Sequence, residues 1–242
     1  NKNKSAESKL NRMVVVKTFV ITLVSGVLLG GVYVLTKEPI EAANQAALYA
    51  AYEELVPGAS EYKDMSENEA LAAAVENTNA LLSADGTYGD VTVNNLVTAT
   101  DESGNVMGYI VDVTDHEAYD GDIEITVGYM PDESGELKNT GISFLTITET
   151  AGLGMKAQNP EFKDQFTGKP AMADNAPLSL TVTKSGNAGD TEINAISGAT
   201  VTSKAVTNAV NAANTAVNAA VSSDMSATFT AASSEASEGG NE

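Results

Sequence analysis

Cysteine and tryptophan are absent from the 242 residues, and histidine occurs once, at His116. Without cysteine there is no disulfide within the chain, no thiolate-held zinc and no thiolate-held iron–sulfur cluster. One imidazole argues against a histidine-based metal site and against a Ser-His-Asp hydrolase. Redox chemistry on such a chain has to be borrowed from an organic cofactor. Positive charge is also scarce: 13 Lys and Arg stand against 33 Asp and Glu, a net charge of −20. A field of that sign repels polyanions, so nucleic acid is not expected as a partner. The few cations are unevenly spread, with Lys2, Lys4, Lys9, Arg12 and Lys17 crowding the N-terminus.

Charge is missing altogether from Thr18 to Leu35, TFVITLVSGVLLGGVYVL. As a helix these residues rise about 27 Å, enough for the hydrocarbon core of a bilayer. A cleaved signal peptide is the competing reading. The run is long for a signal's apolar core, and no small-x-small cleavage site precedes Glu38. The expectation is therefore an uncleaved anchor in the lipid bilayer, over residues 18–36. The basic residues before it place 1–17 in the cytoplasm and everything from residue 37 outside. The chain opens on Asn rather than Met, so a short upstream piece is expected.

Beyond the anchor, Ile40 to Val56 is alanine-rich with helical spacing and stops at Pro57-Gly58. Glu67 to Leu82 reads as a second, weaker helix or an inserted segment. Val91–Thr100, Val106–Val113, Ile123–Tyr129 and Leu137–Thr148 read as strands separated by turn signals such as Gly104-Asn105 and Asp132-Glu133-Ser134-Gly135. Leu178 to Lys184 alternates as a last strand. From Lys204 to about Val221 an Ala/Val pattern puts Val206, Val210, Ala213, Val217 and Val221 on one helix face. The Ser/Ala/Gly/Glu stretch 222–242 has almost nothing to bury and is expected to be a disordered tail.

Two stretches carry chemistry. Ala195-Ile196-Ser197-Gly198-Ala199-Thr200-Val201-Thr202-Ser203 sets small residues and hydroxyls just before a helix. Free backbone N–H groups and the positive end of the helix dipole make that a place for an anion. An ordinary N-cap, with Ser197 or Thr200 accepting backbone N–H bonds, has the same composition. The other stretch is Glu149-Thr150-Ala151-Gly152-Leu153-Gly154-Met155-Lys156, followed by Phe162-Lys163-Asp164-Gln165-Phe166-Thr167-Gly168-Lys169. Two glycines around Leu153 allow a flat ligand close to the backbone. Glu149 and Thr150 offer polar contacts and Lys156 a cation.

Taken together, Glu-Thr-x-Gly-Leu-Gly, Phe-x-x-Gln-Phe-x-Gly-Lys and Ile-Ser-Gly-Ala-Thr-x-Thr-Ser resemble the family of FMN-binding G subunits of the Rnf complex. That complex is a membrane ferredoxin:NAD oxidoreductase that moves Na⁺ or H⁺. The C subunit of the Na⁺-translocating NADH:quinone reductase shares the pattern. The resemblance implies an α+β fold: one transmembrane helix and an extracytoplasmic FMN-binding domain over 37–221, with a mainly antiparallel sheet and flanking helices. It implies an electron carrier with no catalytic residue of its own and no metal. FMN would be esterified through its phosphate to Thr200 by a separate flavin transferase. Ser197, Gly198, Ala199, Val201 and Thr202 would contact the phosphate. Gly152, Leu153 and Gly154 would pack on the isoalloxazine, with Glu149, Thr150, Met155 and Lys156 tuning it. Partners would be the other membrane subunits, among them an iron–sulfur subunit and a second flavinylated subunit.

The chain departs from the family pattern at Ala151, where proline is usual, at Asn194, where aspartate is frequent, and at Thr146-Ile147-Thr148, near which a histidine often stands. None of these removes the acceptor hydroxyl. Two other readings stay open: a flavoprotein of the quinone reductase or of extracellular electron transfer, and an anchored binding module without redox function. His116 and the acidic residues Asp112, Asp115 and Asp120 to Asp122 are expected on a solvated loop rather than at a Ca²⁺ site.

Overall fold

The computed structural model describes the backbone of residues 2–174 and 176–238, and the side chains of 12–174 and 176–222. The chain divides into two units, Asn1–Leu48 and Tyr49–Glu242. The first is helical. Helix α1 spans Lys2–Leu55, with Pro39 inside it. Its stretch Arg12–Leu55 is long and apolar enough to cross a membrane. Val20, Leu23, Leu28 and Leu29 are all exposed there. Apolar side chains all around a helix have hydrocarbon as their natural solvent. The hydroxyls of Thr18, Thr22 and Thr36 donate back to the carbonyls of Val14, Thr18 and Val32. No polar group of these side chains is then left for lipid to satisfy.

The second unit is built on a five-stranded sheet in sequence order: β1 Glu61–Asp64, β2 Val91–Thr100, β3 Val106–Asp115, β4 Ile123–Pro131 and β5 Leu137–Ile147. All neighbours are antiparallel. Alternation decides which side chains go where. Tyr109, Val111, Val113, Ile125, Val127 and Tyr129 join one core with helices α2, Glu69–Asp85, and α4, Thr200–Glu238. The opposite face meets the last turns of α1. There Gly128 lies so close to Leu55 that an added Cβ would sit 2.6 Å from the leucine Cβ. On the same face Asp112 is buried and accepts from Tyr52 at 2.6 Å and Thr126 at 2.8 Å. Its carboxyl is raised above the ordinary range, chiefly by burial.

Helix α2 begins at an Asn68 cap, whose Oδ1 accepts from the N–H groups of Ala70 and Leu71, and stops at left-handed Gly86. Helix α4 crosses the core with an unusual polar stripe. Asn211 Oδ1 accepts from Leu180 N and its Nδ2 donates to Leu180 O. Asn214 Nδ2 donates to Leu178 O, and its Oδ1 accepts from Tyr129 at 2.7 Å. These amides take the place of a neighbouring strand. The strand expected over Leu178–Lys184 accordingly shrinks to β8, Thr181–Thr183, which pairs in parallel with β9, Glu192–Asn194. Between β5 and β8 lie a 3-10 turn at Gly154–Gln158, the short helix α3 at Pro160–Lys163 and the two-residue strands β6, Met172–Ala173, and β7, Ala176–Pro177. The tail expected to be disordered over 222–242 carries helical backbone through Glu238, and 239–242 lie outside the described residues. The fold is α+β, an apolar N-terminal helix and an antiparallel sheet with flanking helices, as the sequence implied.

Candidate functional site

Helix α4 begins at Thr200 rather than near Lys204. Thr200 therefore belongs to the first helical turn instead of preceding it. The chain reaches it through a tight turn: Ala199 N donates to Ile196 O at 3.0 Å, with Gly198 at φ 80°. That φ is open to glycine and strained for other residues. Ser203 fastens the turn from behind. Its Oγ accepts from Ile196 N at 2.9 Å and donates to Ala199 O at 2.8 Å. The first helical bond runs from Ser203 N to Ala199 O. The N–H groups of Thr200, Val201 and Thr202 precede it and point out of the helix start, free of intrahelical acceptors.

The hydroxyls of this stretch are not equivalent. Ser203 is fully buried and both its bonds are taken; Thr202 is 1% exposed. Ser197 is exposed and Thr200 half-buried. Only these last two are open to a reagent from outside.

Opposite the turn stands the Gly-Leu-Gly loop. Gly152 has φ 77°, and the N–H groups of Leu153 and Met155 both donate to Thr150 O. Leu153 reaches across, so that a Cβ on Gly198 would lie 3.1 Å from Leu153 Cδ2. Gly154 is required for another reason. A Cβ there would sit 2.8 Å from the Cβ of Glu149, which folds underneath. Glu149 is buried, and its Oε1 accepts from Tyr119 N at 2.8 Å.

The two loops enclose a cleft of about 450 Å³. It is lined by Tyr119, Glu149, Thr150, Leu153, Gly154, Gly198, Ala199, Thr200, Val201 and Thr202. A volume of that size suits a cofactor-sized ligand. Nine of the thirteen residues singled out in the sequence are brought together here. Gly152 shapes the loop without lining the cleft. Met155 is half-buried in the 3-10 turn. Lys156 faces a separate depression with Gln165 and Asn194. Ser197 lies on the far side of the turn, in a hollow of about 260 Å³ that Thr200 also lines. The residue that sequence reasoning missed is Tyr119, 72% exposed at the cleft mouth. Its signal was an aromatic set among Asp, Glu and Gly in a loop.

The Phe-x-x-Gln-Phe segment supports this site from outside the cleft. Phe162 and Phe166 are buried edge to face, centroids 5.6 Å apart. They hold Gln165, whose Oε1 accepts from Asn194 N at 2.7 Å while its Nε2 lies 3.4 Å from Asn194 O. The amide acts as one more strand residue beside β9, which leads into the turn.

The acidic loop departs from expectation. Asp112 and Asp115 are buried rather than solvated, because both sit on β3 with side chains under other elements. Burial raises the Asp115 carboxyl to about 6. His116 is held at both ring nitrogens, by Asp122 and Thr92, each at 3.2 Å. Among the described residues no group of three His, Cys, Asp or Glu is arranged to hold a metal ion.

Residues 118–215 match the FMN-binding domain family. The stretch begins one residue before Tyr119 and ends within α4. Over 195 residues the chain is 33% identical to the G subunit of the Na⁺-translocating ferredoxin:NAD⁺ oxidoreductase complex of Acetobacterium woodii, covering 78% of this chain and 83% of that protein. Over 204 residues it is 30% identical to the G subunit of an ion-translocating oxidoreductase complex from Methanosarcina acetivorans, covering 84% and 93%. A crystal structure of the C subunit of the Na⁺-translocating NADH-quinone reductase from Parabacteroides distasonis aligns with 25% identity and a TM-score of 0.43, over 52% of this chain and 62% of that one.

Proposed function

The chain belongs to the family of G subunits of the ion-translocating Rnf oxidoreductases, and from that premise we propose how it holds its flavin and where it works. It is an FMN-binding electron-carrier subunit of a membrane complex that couples ferredoxin:NAD oxidoreduction to Na⁺ or H⁺ translocation.

FMN is joined by a phosphoester to Thr200. The observation that carries this reading is the partly exposed Thr200, on the first turn of α4 at the edge of the cleft, between buried Thr202 and Ser203 on one side and left-handed Gly198 on the other. Attachment forms the Thr200 Oγ–P bond, releases AMP from FAD and frees the hydroxyl proton; a separate flavin transferase performs it. The residues present fit the cofactor. Tyr119, Leu153 and Val201 are exposed apolar groups around one cleft, matched to a flat apolar ring. Gly154 and Gly198 let Glu149 and Leu153 close on the backbone around the cleft, contacts that a Cβ would crowd. The N–H groups of Thr200, Val201 and Thr202 and the dipole of α4 suit a phosphate. Glu149 acts by fixing Tyr119 rather than by reaching the ring edge. When bound, FMN supplies reversible one- and two-electron transfer. Thr200 would tether it, and Tyr119, Leu153 and Val201 would line the space around it.

The basic residues before the apolar stretch of α1 support an N-terminus in the cytoplasm, with residues 37–221 on the other side. The electron partners are an iron–sulfur subunit and a second flavinylated subunit of the same complex. The test is a denaturing gel under blue light, after co-expression with a flavin transferase, with Thr200→Val alongside. A fluorescent native band and a dark variant are expected. A dark native band with unmodified intact mass would refute covalent attachment.

A further inference from the structure

The chain holds 33 carboxylates, yet none falls within 150–160, 176–189 or 193–223. These segments meet at the Ser-Gly-Ala-Thr turn and carry three cations instead, Lys156, Lys184 and Lys204. Lys156 lines the depression bounded by Asn194, Ala195 and Ile196. Lys184 lines the hollow that Ser197, Gly198 and Thr200 share. Lys204 stands one helical turn beyond Thr200. All three are exposed, and none makes an ion pair among the described residues. Glu161 also lines the Lys156 depression and is not paired with it.

The loop that brings Tyr119 to the same cleft has the opposite sign. Glu117, Asp120 and Asp122 stand around that tyrosine, all exposed. Asp122 pairs with His116, not with a lysine. Charge of both signs therefore borders one cleft without neutralising itself. At the cleft lie Tyr119, Leu153 and Val201, three of the six large apolar side chains that are exposed between residues 49 and 222. An aromatic and aliphatic centre with a polar rim is the make-up of a protein–protein interface. A bilayer surface suits it less. Anionic headgroups drawn to the lysines would be repelled by Glu117, Asp120 and Asp122, whereas a protein face can answer both signs.

We propose that the cleft mouth is the docking face for a neighbouring protein subunit of the complex, one that presents carboxylates to Lys156, Lys184 and Lys204 and cations to Glu117, Asp120 and Asp122. The two signs orient that subunit over the cleft as well as drawing it in. Its identification as the electron partner of the flavin rests on attachment at Thr200. The docking face itself does not.

The experiment uses the full-length chain in detergent and the remaining subunits of the complex, purified from cells that lack this chain. Association and dissociation rates are measured at low and high salt. Compared are the native chain, the double variant Lys156→Glu/Lys204→Glu, Asp120→Lys, and Lys63→Glu as a control of equal sign away from the cleft. Single exposed ion pairs are weak, but a reversed charge turns attraction into repulsion, and steering by several charges changes association rates by tenfold or more. The double lysine variant is expected to associate about tenfold more slowly at low salt, and Asp120→Lys about threefold. Both differences should close at high salt, with dissociation little changed. Lys63→Glu should match the native chain. Equal association rates for the native chain and the double lysine variant overturn the proposal. So does an Asp120→Lys chain that associates as fast as the native one or faster, the result a uniformly anionic surface would give. So does a Lys63→Glu chain slowed as much as the double variant, which would assign the effect to net charge. Flavin fluorescence of the same chains keeps the two claims apart. A fluorescent native chain indifferent to both reversals refutes the docking face and leaves the Thr200 reading standing. A dark native chain that responds to both refutes attachment and supports the docking face.

Discussion

Replacing Ser203 by alanine should loosen the turn that presents Thr200. In the native chain one hydroxyl makes two bonds, to Ile196 N and to Ala199 O. The alanine variant leaves them unequal. Ala199 O keeps the Ser203 backbone N–H at 3.0 Å, whereas Ile196 N loses its acceptor. Ser203 is fully buried and Ile196 is 9% exposed, so water cannot easily replace the lost partner. An orphaned buried N–H costs about 1–3 kcal/mol. Alanine recovers roughly half a kcal/mol through better helix propensity. The net loss is about 1–2 kcal/mol. Urea unfolding of the full chain in detergent, followed by circular dichroism, reads it as a lower midpoint with unchanged slope. The same variant should accept FMN more slowly, since one of the turn's two ties is gone. A stability unchanged within about 0.5 kcal/mol, or raised as propensity alone would have it, would refute the reasoning.

Other consequences follow from the same geometry. Asn211→Ala strips both backbone groups of Leu180 of their partners and should cost about 2–5 kcal/mol in urea unfolding. Asp115 has a folded carboxyl at about 6 against an ordinary 3.8. Its contribution to stability is complete below about 3.8 and is lost as pH rises through about 6. Asp115→Asn should remove that slope and leave the domain more stable near neutrality by about 2 kcal/mol, read from urea midpoints across the pH range. Gly154→Ala drives a Cβ into Glu149; the carboxylate must move and release Tyr119 N, so less FMN should attach, measured by gel fluorescence, with a stability loss of about 1–3 kcal/mol.

The sheet was readable because its strands alternate and are bounded by turn residues. Val91–Thr100 appears with the bounds the pattern gave. Strand β1, Glu-Tyr-Lys-Asp, carries no alternation and could not be seen. Leu178 and Leu180 looked like strand residues because they are apolar and alternate, yet both backbone groups of Leu180 and the carbonyl of Leu178 are satisfied by side chains of α4, which no local pattern reports. The start of α4 was placed late because Thr200, Val201 and Thr202 have weak helix propensity. Packing under the turn overrides it. The Gly-Leu-Gly and Ser-Gly-Ala-Thr loops could be named from sequence, but their apposition across one cleft needs the fold. Tyr119 is held beside the cleft by its backbone bond to Glu149, a contact 30 residues apart. Gln165 is similar, bonded to Asn194 across 29 residues.

The electron-carrier role proposed for the chain depends on a flavin carried by Thr200. The most direct measurement is tandem mass spectrometry of the tryptic peptide Ser185–Lys204, after expression with a flavin transferase. The peptide holds several hydroxyls, Ser197, Thr200, Thr202 and Ser203 among them, so fragmentation tells them apart. The mass of FMN less one water is expected on Thr200 and on no neighbour. The same mass on Ser197 or on buried Thr202, or an unmodified peptide, would contradict it.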